Sequence, residues 1–226
     1  MKNILFDLDD TLLNFGKAER IALTKTLVHF GIEPREEVLA RYSELNLAQW
    51  KRLEKGELTR EQVKVRRYAL LFDELGVDCS PADATAFYET QLSIGHYFVE
   101  GAEAVLQALY PVYRLYLVTN GTARVQHGRI ESAGIARYFS GMFISQEIGF
   151  DKPQAQFFTY CFAQIPDFCK ADTVIVGDSL SSDILGGKNA GITTVWFNPK
   201  HQPGGEIVPD YEIDSLSALP GLLQGI

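Results

Sequence analysis

Three short apolar runs in this chain stop on polar residues of one kind. Ile4-Leu5-Phe6 leads into Asp7-Leu8-Asp9-Asp10-Thr11. The run from Tyr113 to Val118 leads into Thr119-Asn120-Gly121, and that from Thr173 to Val176 into Gly177-Asp178-Ser179, with Asp183 close behind. Apolar runs of this kind, broken only at Arg114 in the second and without the alternation of a half-exposed strand, are what strands covered on both faces look like. In an open parallel sheet ligands bind outside the carboxyl ends of the strands, where these polar residues fall. Paired acids at the end of a buried strand are electrostatically costly unless a cation or a proton-sharing group compensates. Lys152-Pro153 lies between the second and third runs, just ahead of a helical stretch carrying Phe157, Phe158, Cys161 and Phe162, and offers such a cation. The pattern therefore selects an α/β fold with a shared polar site at one edge of its sheet.

The first strand ends near Leu8 and the next convincing one starts near Val112, a gap longer than a single crossover needs. The gap reads as helical. Lys17 to Phe30 is apolar-periodic and stops at Gly31; Pro34 to Leu53 opens on proline and acids and ends before Gly56. Thr59 with Gln62 forms a capping-box pattern for a helix running to Leu75 and Gly76, and Ser80-Pro81-Ala82-Asp83 opens another that fades near Gly95. Arg66-Arg67 reads as a solvated helix face. From Gly101 the alternation resumes: helix to Tyr110, strand 112–118, helix 122–133, strand near 141–145, helix 153–164, strand 173–177, helix 182–190 and strand 193–197. The tail from Lys200 holds Pro203, Gly204, Gly205 and Pro209 and reads as loop before a short final element. This order predicts a Rossmann-like parallel sheet with helices on both faces, built from residues 1–15 and 96–226, and a four-helix insertion over 16–95.

A hydrophobic content of 46% with 22% charged residues is that of a folded globular chain, which excludes a disordered one. The net charge of −8 argues against a nucleic-acid polymer or a membrane surface as partner, but not against a small anion. Cys79, Cys161 and Cys169 are an odd set without metal-type spacing, as expected of reduced thiols in a cytoplasmic protein. The start meets Asp7 too early for a signal peptide, and no apolar run reaches the length of a membrane span.

Taken singly, Thr119-Asn120-Gly121 is an ordinary turn and Gly177-Asp178 an ordinary strand end with a helix cap. Taken together, DLDDT (7–11), TNG (119–121), Lys152-Pro153 and GDSLSSD (177–183) resemble, in order and spacing, the four signature motifs of the haloacid dehalogenase (HAD) superfamily, over Lys2 to about Phe197. The stretches TNGTARVQHGRIESAG and SQEIGFDKPQAQFF look like the branch that contains pyrimidine 5'-nucleotidases also accepting non-standard bases. In that family the insertion corresponds to a helical cap of the C1 type.

A carboxylate can attack phosphorus to give an aspartyl-phosphate, and Asp7 is the candidate nucleophile. Asp9 is then the candidate general acid and base. Thr119, Asn120 and Lys152 are candidate phosphate ligands. The resemblance implies a magnesium ion, or another divalent ion such as manganese. It assigns the ion to Asp7, Asp178 and the backbone carbonyl of Asp9, with Asp183 orienting a bound water or Lys152. The spacing permits this set without requiring it. By count, four acids face one lysine and a divalent ion. Asp10 reads as a local side-chain-to-backbone bond. His29, His96, His127 and His201 have no metal-ligand spacing. Trp50, His96 and Tyr97 are candidate substrate contacts, and Asn14 stands where many family members carry an acid.

The residues themselves reach phosphoryl transfer through Asp7. The resemblance implies magnesium-dependent hydrolysis of nucleoside 5'-monophosphates, pyrimidines preferred, with a small phosphate ester as the partner. A sugar-phosphate phosphatase or a phosphomutase is the nearest alternative. A non-catalytic phosphometabolite-binding regulator is a remote one, because Asp7 and Asp9 are both present. Carbon–halogen displacement has no use for an acid at Asp9, and no lysine of the insertion stands out as an amine nucleophile for phosphonate cleavage. One chain carries no signal of oligomeric state.

Overall fold

The computed structural model describes residues 1–226, and the chain divides into two compact units, Gly16–Gly95 and Met1–Phe15 with His96–Ile226. The helical unit is made from α1 (Phe15–His29), α2 (Glu36–Glu54), α3 (Arg60–Leu75) and α4 (Pro81–Ser93). Its helix ends follow local chemistry. Thr59 Oγ1 accepts the Gln62 N–H at 3.3 Å while Gln62 Oε1 accepts the Thr59 N–H at 2.8 Å, a complete capping box. Ser80 caps α4 ahead of Pro81, and Gly76 ends α3 in the left-handed region.

Arg67, expected with Arg66 on a solvated face, is instead buried inside this unit. Its Nη1 donates to Asn46 Oδ1 at 2.8 Å and its Nε to the Lys64 carbonyl at 3.3 Å. The guanidinium lies against the rings of Tyr42, Tyr68 and Tyr88, at 5.7, 5.7 and 4.8 Å from their centroids. A flat, weakly hydrated guanidinium is the cation best suited to such ring faces. Glu19, also buried, accepts from Ser43 Oγ and Asn46 Nδ2 at 2.6 Å each, so Asn46 relays between the acid and Arg67.

The second unit runs β1 (Asn3–Phe6), α5 (Ala102–Leu109), β2 (Arg114–Thr119), α6 (Ala123–Ala133), β3 (Phe139–Ile144), α7 (Ser145–Ile148), α8 (Ala155–Gln164), β4 (Thr173–Gly177), α9 (Leu185–Ala190), β5 (Thr193–Phe197), β6 (Tyr211–Ile213) and α10 (Leu219–Gln224). All six strands are parallel, in the order β3-β2-β1-β4-β5-β6. Because β1 sits between β2 and β4, the strand order reverses there, the place where open α/β sheets form their crevice. Successive residues of β1, β2 and β4 enter opposite cores. Ile4, Phe6, Leu115, Leu117, Val174 and Val176 pack with Leu106 and Leu219, while Leu5, Tyr116, Val118 and Ile175 pack with Phe157, Phe158 and Cys161. Two covered faces are the physical reason for the apolar runs, and Arg114, at the exposed start of β2, is the one charged residue among them.

Two elements differ from expectation. The tail supplies β6 as an edge strand beside β5, pairing Tyr211 with Val195 and Ile213 with Phe197; three residues are too few to show a period beside Pro203 and Pro209. The stretch expected as one helix over 182–190 opens with a wide π turn, Leu180–Ile184, before α9. No helix is long and apolar enough to cross a membrane.

All three cysteines are free; Cys169 is exposed, Cys79 half-buried and Cys161 buried in α8. Burial pushes the Cys161 thiol up to about 12. A thiol titration at pH 8 is therefore expected to count Cys79 and Cys169 in the folded protein and to reach Cys161 only after denaturation. Reaction of all three at one rate would contradict the packing.

Candidate active site

The ends of β1, β2 and β4 deliver the polar residues to one place. Asp7 follows β1, and its N–H donates to the Val176 carbonyl at 2.9 Å, which pins it beside the end of β4. Lys152 reaches in from the loop before α8, whose bond to Pro153 is cis, and is 1% exposed. Its ammonium has three protons, and three acceptors meet it: Asp7 Oδ1 at 2.6 Å, Asp183 Oδ1 at 2.7 Å and the Val118 carbonyl at 2.8 Å. Thr11 Oγ1 reaches the other Asp7 oxygen at 3.4 Å.

Asn120 holds the lysine's backbone. Its Oδ1 accepts the Lys152 N–H and its Nδ2 donates to the Lys152 carbonyl, both at 2.8 Å. The side-chain amide expected on the phosphate is thus directed onto the loop, because a primary amide matches the N–H and C=O of one extended residue at once.

Asp183, fully buried, accepts from Lys152 through Oδ1 and from the Ser179 N–H through Oδ2 at 3.1 Å. It can lie there because residue 177 is glycine: a Cβ at Gly177 would stand 2.3 Å from Asp183 Cγ. Asp178 is fixed through its backbone, whose carbonyl accepts the Trp196 indole N–H at 2.8 Å. Asp7, Asp178 and Asp183 each bring one carboxylate oxygen to within 4.8 Å of the others.

Such crowding shifts the groups' protonation. Burial, together with Asp183 and Asp9, pushes Asp7 up to about 8 against the opposing pull of Lys152. Burial, then Asp7 and Asp183, holds Asp178 well above the usual carboxylate range. For Lys152 burial acts downward, but Asp183 and Asp7 outweigh it and hold the ammonium above the ordinary lysine range. Were all three carboxylates ionised, they would outnumber the single ammonium. A hard divalent cation fits that donor set: all oxygen, mutually close, and stabilised by the charge it would neutralise.

Asp9 has separate partners. Arg129 Nη1 donates to Asp9 Oδ1, and Gln126 Nε2 donates to Asp9 Oδ2 at 2.8 Å and to Thr119 Oγ1 at 2.8 Å. Gln126 lies over Gly121, where a Cβ would meet it at 2.3 Å. Four acids are therefore met by two buried cations of the chain itself, and the sequence count, which set one lysine and a divalent ion against them, missed Arg129 and Gln126. Their signal was present: three residues apart on α6, the helix that follows Thr119-Asn120-Gly121, they share one helix face.

Asp10 takes the left-handed conformation (φ 56°), which aspartate tolerates, and its Oδ1 accepts the Phe15 N–H at 2.9 Å. His96 and Tyr97 stack with ring centroids 6.3 Å apart; His96 Nδ1 pairs with Ser132 Oγ at 2.5 Å, and the Tyr97 carbonyl accepts the Asn14 N–H at 2.7 Å. Trp50 belongs to α2 of the helical unit, with the Arg60 guanidinium 6.0 Å from its ring. His127 is exposed and pairs with Glu147.

The arrangement offers an acid beside a fixed cation, a metal-type oxygen cluster, and a second acid on its own mount. Gly177→Ala is expected to force Asp183 off Lys152 and to lower stability by about 1–3 kcal/mol, as overpacking does, in urea unfolding. An unchanged midpoint would show that Asp183 has room to retreat.

A profile of the haloacid dehalogenase-like hydrolases matches residues 4–197. The chain is 37% identical to YfnB of Bacillus subtilis (strain 168), over 98% of this chain and 95% of that protein. It is 36% identical to the pyrimidine 5'-nucleotidase PynA of Streptococcus pneumoniae (96% and 93% covered) and 31% identical to the pyrimidine 5'-nucleotidase YjjG of Escherichia coli (97% and 96% covered). The crystal structure of YfnB bound to magnesium superposes with a TM-score of 0.94 over 98% of each chain. The L-2-haloacid dehalogenase of Xanthobacter autotrophicus, at 17% identity, a TM-score of 0.79 and coverage of 100% and 99%, shares the fold alone. With the profile spanning all four motifs and relatives aligned end to end, this chain belongs to the haloacid dehalogenase-like hydrolase family.

Proposed function

We propose that this hydrolase is a phosphatase that cleaves nucleoside 5'-monophosphates, pyrimidine nucleotides first, through an aspartyl-phosphate on Asp7. The observation that carries the chemistry is the placement of Asp7 against Lys152 and beside Asp178 and Asp183. The substrate class rests on PynA and YjjG, relatives named as pyrimidine 5'-nucleotidases along almost their whole length. Relatives named for other phosphate esters, such as the glyceraldehyde 3-phosphate phosphatase of Methanopyrus kandleri at 29% identity, support a sugar phosphate as the second reading.

Asp7, Asp178 and the Asp9 backbone carbonyl would hold magnesium, with Asp183 orienting a bound water or Lys152, and the ion would neutralise charge on the phosphate. The remaining steps belong to the chain's own groups. Lys152 occupies Asp7 Oδ1 and leaves Oδ2, touched only at long range by Thr11, as the oxygen that forms the new bond to phosphorus. As that bond forms, the ester P–O bond breaks and Asp9 gives its proton to the departing oxygen. Water then attacks the phosphorus of the acyl phosphate, Asp9 takes the proton back, and Asp7 is released with inorganic phosphate. Thr119 and the backbone N–H groups after it face the phosphate oxygens, while Lys152 acts mainly through its charge, since its protons already have acceptors. Residues 16–95 serve as the cap that the family resemblance implies, with Trp50 as its candidate contact and His96 and Tyr97 as candidates in the core unit.

Phosphate release from UMP, dUMP, dTMP, purine nucleotides, sugar phosphates and an aryl phosphate, with magnesium and then with a chelator, tests this. The expected result is metal-dependent release with pyrimidine nucleotides fastest. Asp7→Asn is expected to keep the fold and lose turnover by about 10³-fold or more. Turnover retained in that variant rules out the covalent route, and release from sugar phosphates alone rules out the nucleotide assignment.

A further inference from the structure

Arg129 is fully buried, yet it carries a charge that the phosphate chemistry proposed above does not require. A buried cation demands a counter-charge, and Arg129 meets the carboxylate of Asp9, a side chain that remains 30% exposed. Both Asp9 oxygens are taken by α6: Oδ1 by Arg129 Nη1, Oδ2 by Gln126 Nε2 at 2.8 Å. Arg129 Nη1 also donates to Gln126 Oε1 at 3.3 Å, and its guanidinium lies over the Phe15 ring at 5.7 Å, so the two mounts brace each other. The same Gln126 nitrogen donates to Thr119 Oγ1 at 2.8 Å, the hydroxyl proposed above as a phosphate contact. Gly121 leaves the space through which that side chain passes.

We propose that Arg129 and Gln126 are positioning residues for Asp9: together they fix the direction of its carboxylate and, through Gln126, tie that direction to the Thr119 hydroxyl. A short aspartate on a loop would otherwise rotate among several orientations, few of which meet the departing oxygen. Two donors from one helix face select one orientation, and each carboxylate oxygen keeps a further lone pair for proton exchange. The donors touch neither phosphorus nor the leaving group. Their effect falls on the steps in which Asp9 gives up or takes back a proton.

This inference rests on the proposed phosphatase reading, and leaving-group dependence separates the two. A nucleoside or other alkyl phosphate departs as a strongly basic alkoxide that needs the acid, whereas p-nitrophenolate departs without one. The value of kcat/KM covers only formation of the phospho-enzyme, so it reports that step alone. Arg129→Met is expected to lower kcat/KM for the best alkyl phosphate by about 10²-fold, and for p-nitrophenyl phosphate by less than about threefold. Arg129→Lys, which keeps the charge, is expected to recover part of the alkyl activity. Gln126→Met, which keeps the ion pair and so guards against a folding defect, should show the same selectivity more weakly. In an Asp9→Asn background Arg129→Met should cause no further loss on the alkyl ester, because the group it positions is gone. Equal losses on both esters, or additive losses in the double variant, overturn the inference while the phosphatase reading stands. Faster alkyl cleavage in Arg129→Met also overturns it, in favour of a contact that parks the acid. A wild type that releases phosphate from no ester at all defeats both.

Discussion

The ammonium of Lys152 is the group on which the rest of the site leans. At the end of a parallel sheet, Asp7 and Asp183 lie at hydrogen-bond distance from one point, and the ammonium there offsets the cost of bringing the two acids together. Everything around the lysine secures that point. Val118 lends a carbonyl from β2, Asn120 grips the lysine's own backbone, and Gly177 gives up its side chain so that Asp183 can approach. Strands β1, β2 and β4 contribute adjacent ends because β1 lies between the other two. The order of the sheet and the position of one nitrogen are thus a single constraint met from two sides.

Charge is divided between two compartments of the same site. Lys152 stands with Asp7 and Asp183, with Asp178 beside them; Arg129 stands with Asp9. Two acids that lie one residue apart in the chain therefore experience different partners. That separation of surroundings lets neighbouring carboxylates take different chemical duties.

Much of this was legible in the sequence. The apolar runs ending at Asp7, Thr119 and Asp178 are direct consequences of strands buried on both faces, and burial leaves little latitude in residue choice. The capping box at Thr59 and the stop at Gly76 are written in local chemistry and appear where local chemistry put them. What escaped reading depends on tertiary contact. Arg67 has the composition of a surface residue, and only the three tyrosine rings arriving from α2, α3 and α4 make its burial favourable. Gln126 and Arg129 gain meaning only once Asp9 is brought to α6 across more than half the chain. The side chain of Asn120 was assigned to phosphate because its partner, a backbone segment, leaves no mark in a sequence. Strand β6 is recognisable by its pairing with β5 rather than by its three residues.

The β-sheet unit also closes the gap from which the helical segment departs. Leu13 bridges to Phe98, the Asn14 N–H donates to the Tyr97 carbonyl at 2.7 Å, and the Val99 N–H donates to the Leu12 carbonyl at 3.0 Å. The chain thus leaves and returns through two backbone stretches already held side by side by the sheet unit's own bonds. Bringing the ends of an insertion together is the part of its entropy that every insertion must meet, and it grows only slowly with length. Here the host has met it in advance. A segment of different length or fold could occupy the same point with little disturbance to the sheet, because the bonds that hold the junction belong to the sheet unit alone.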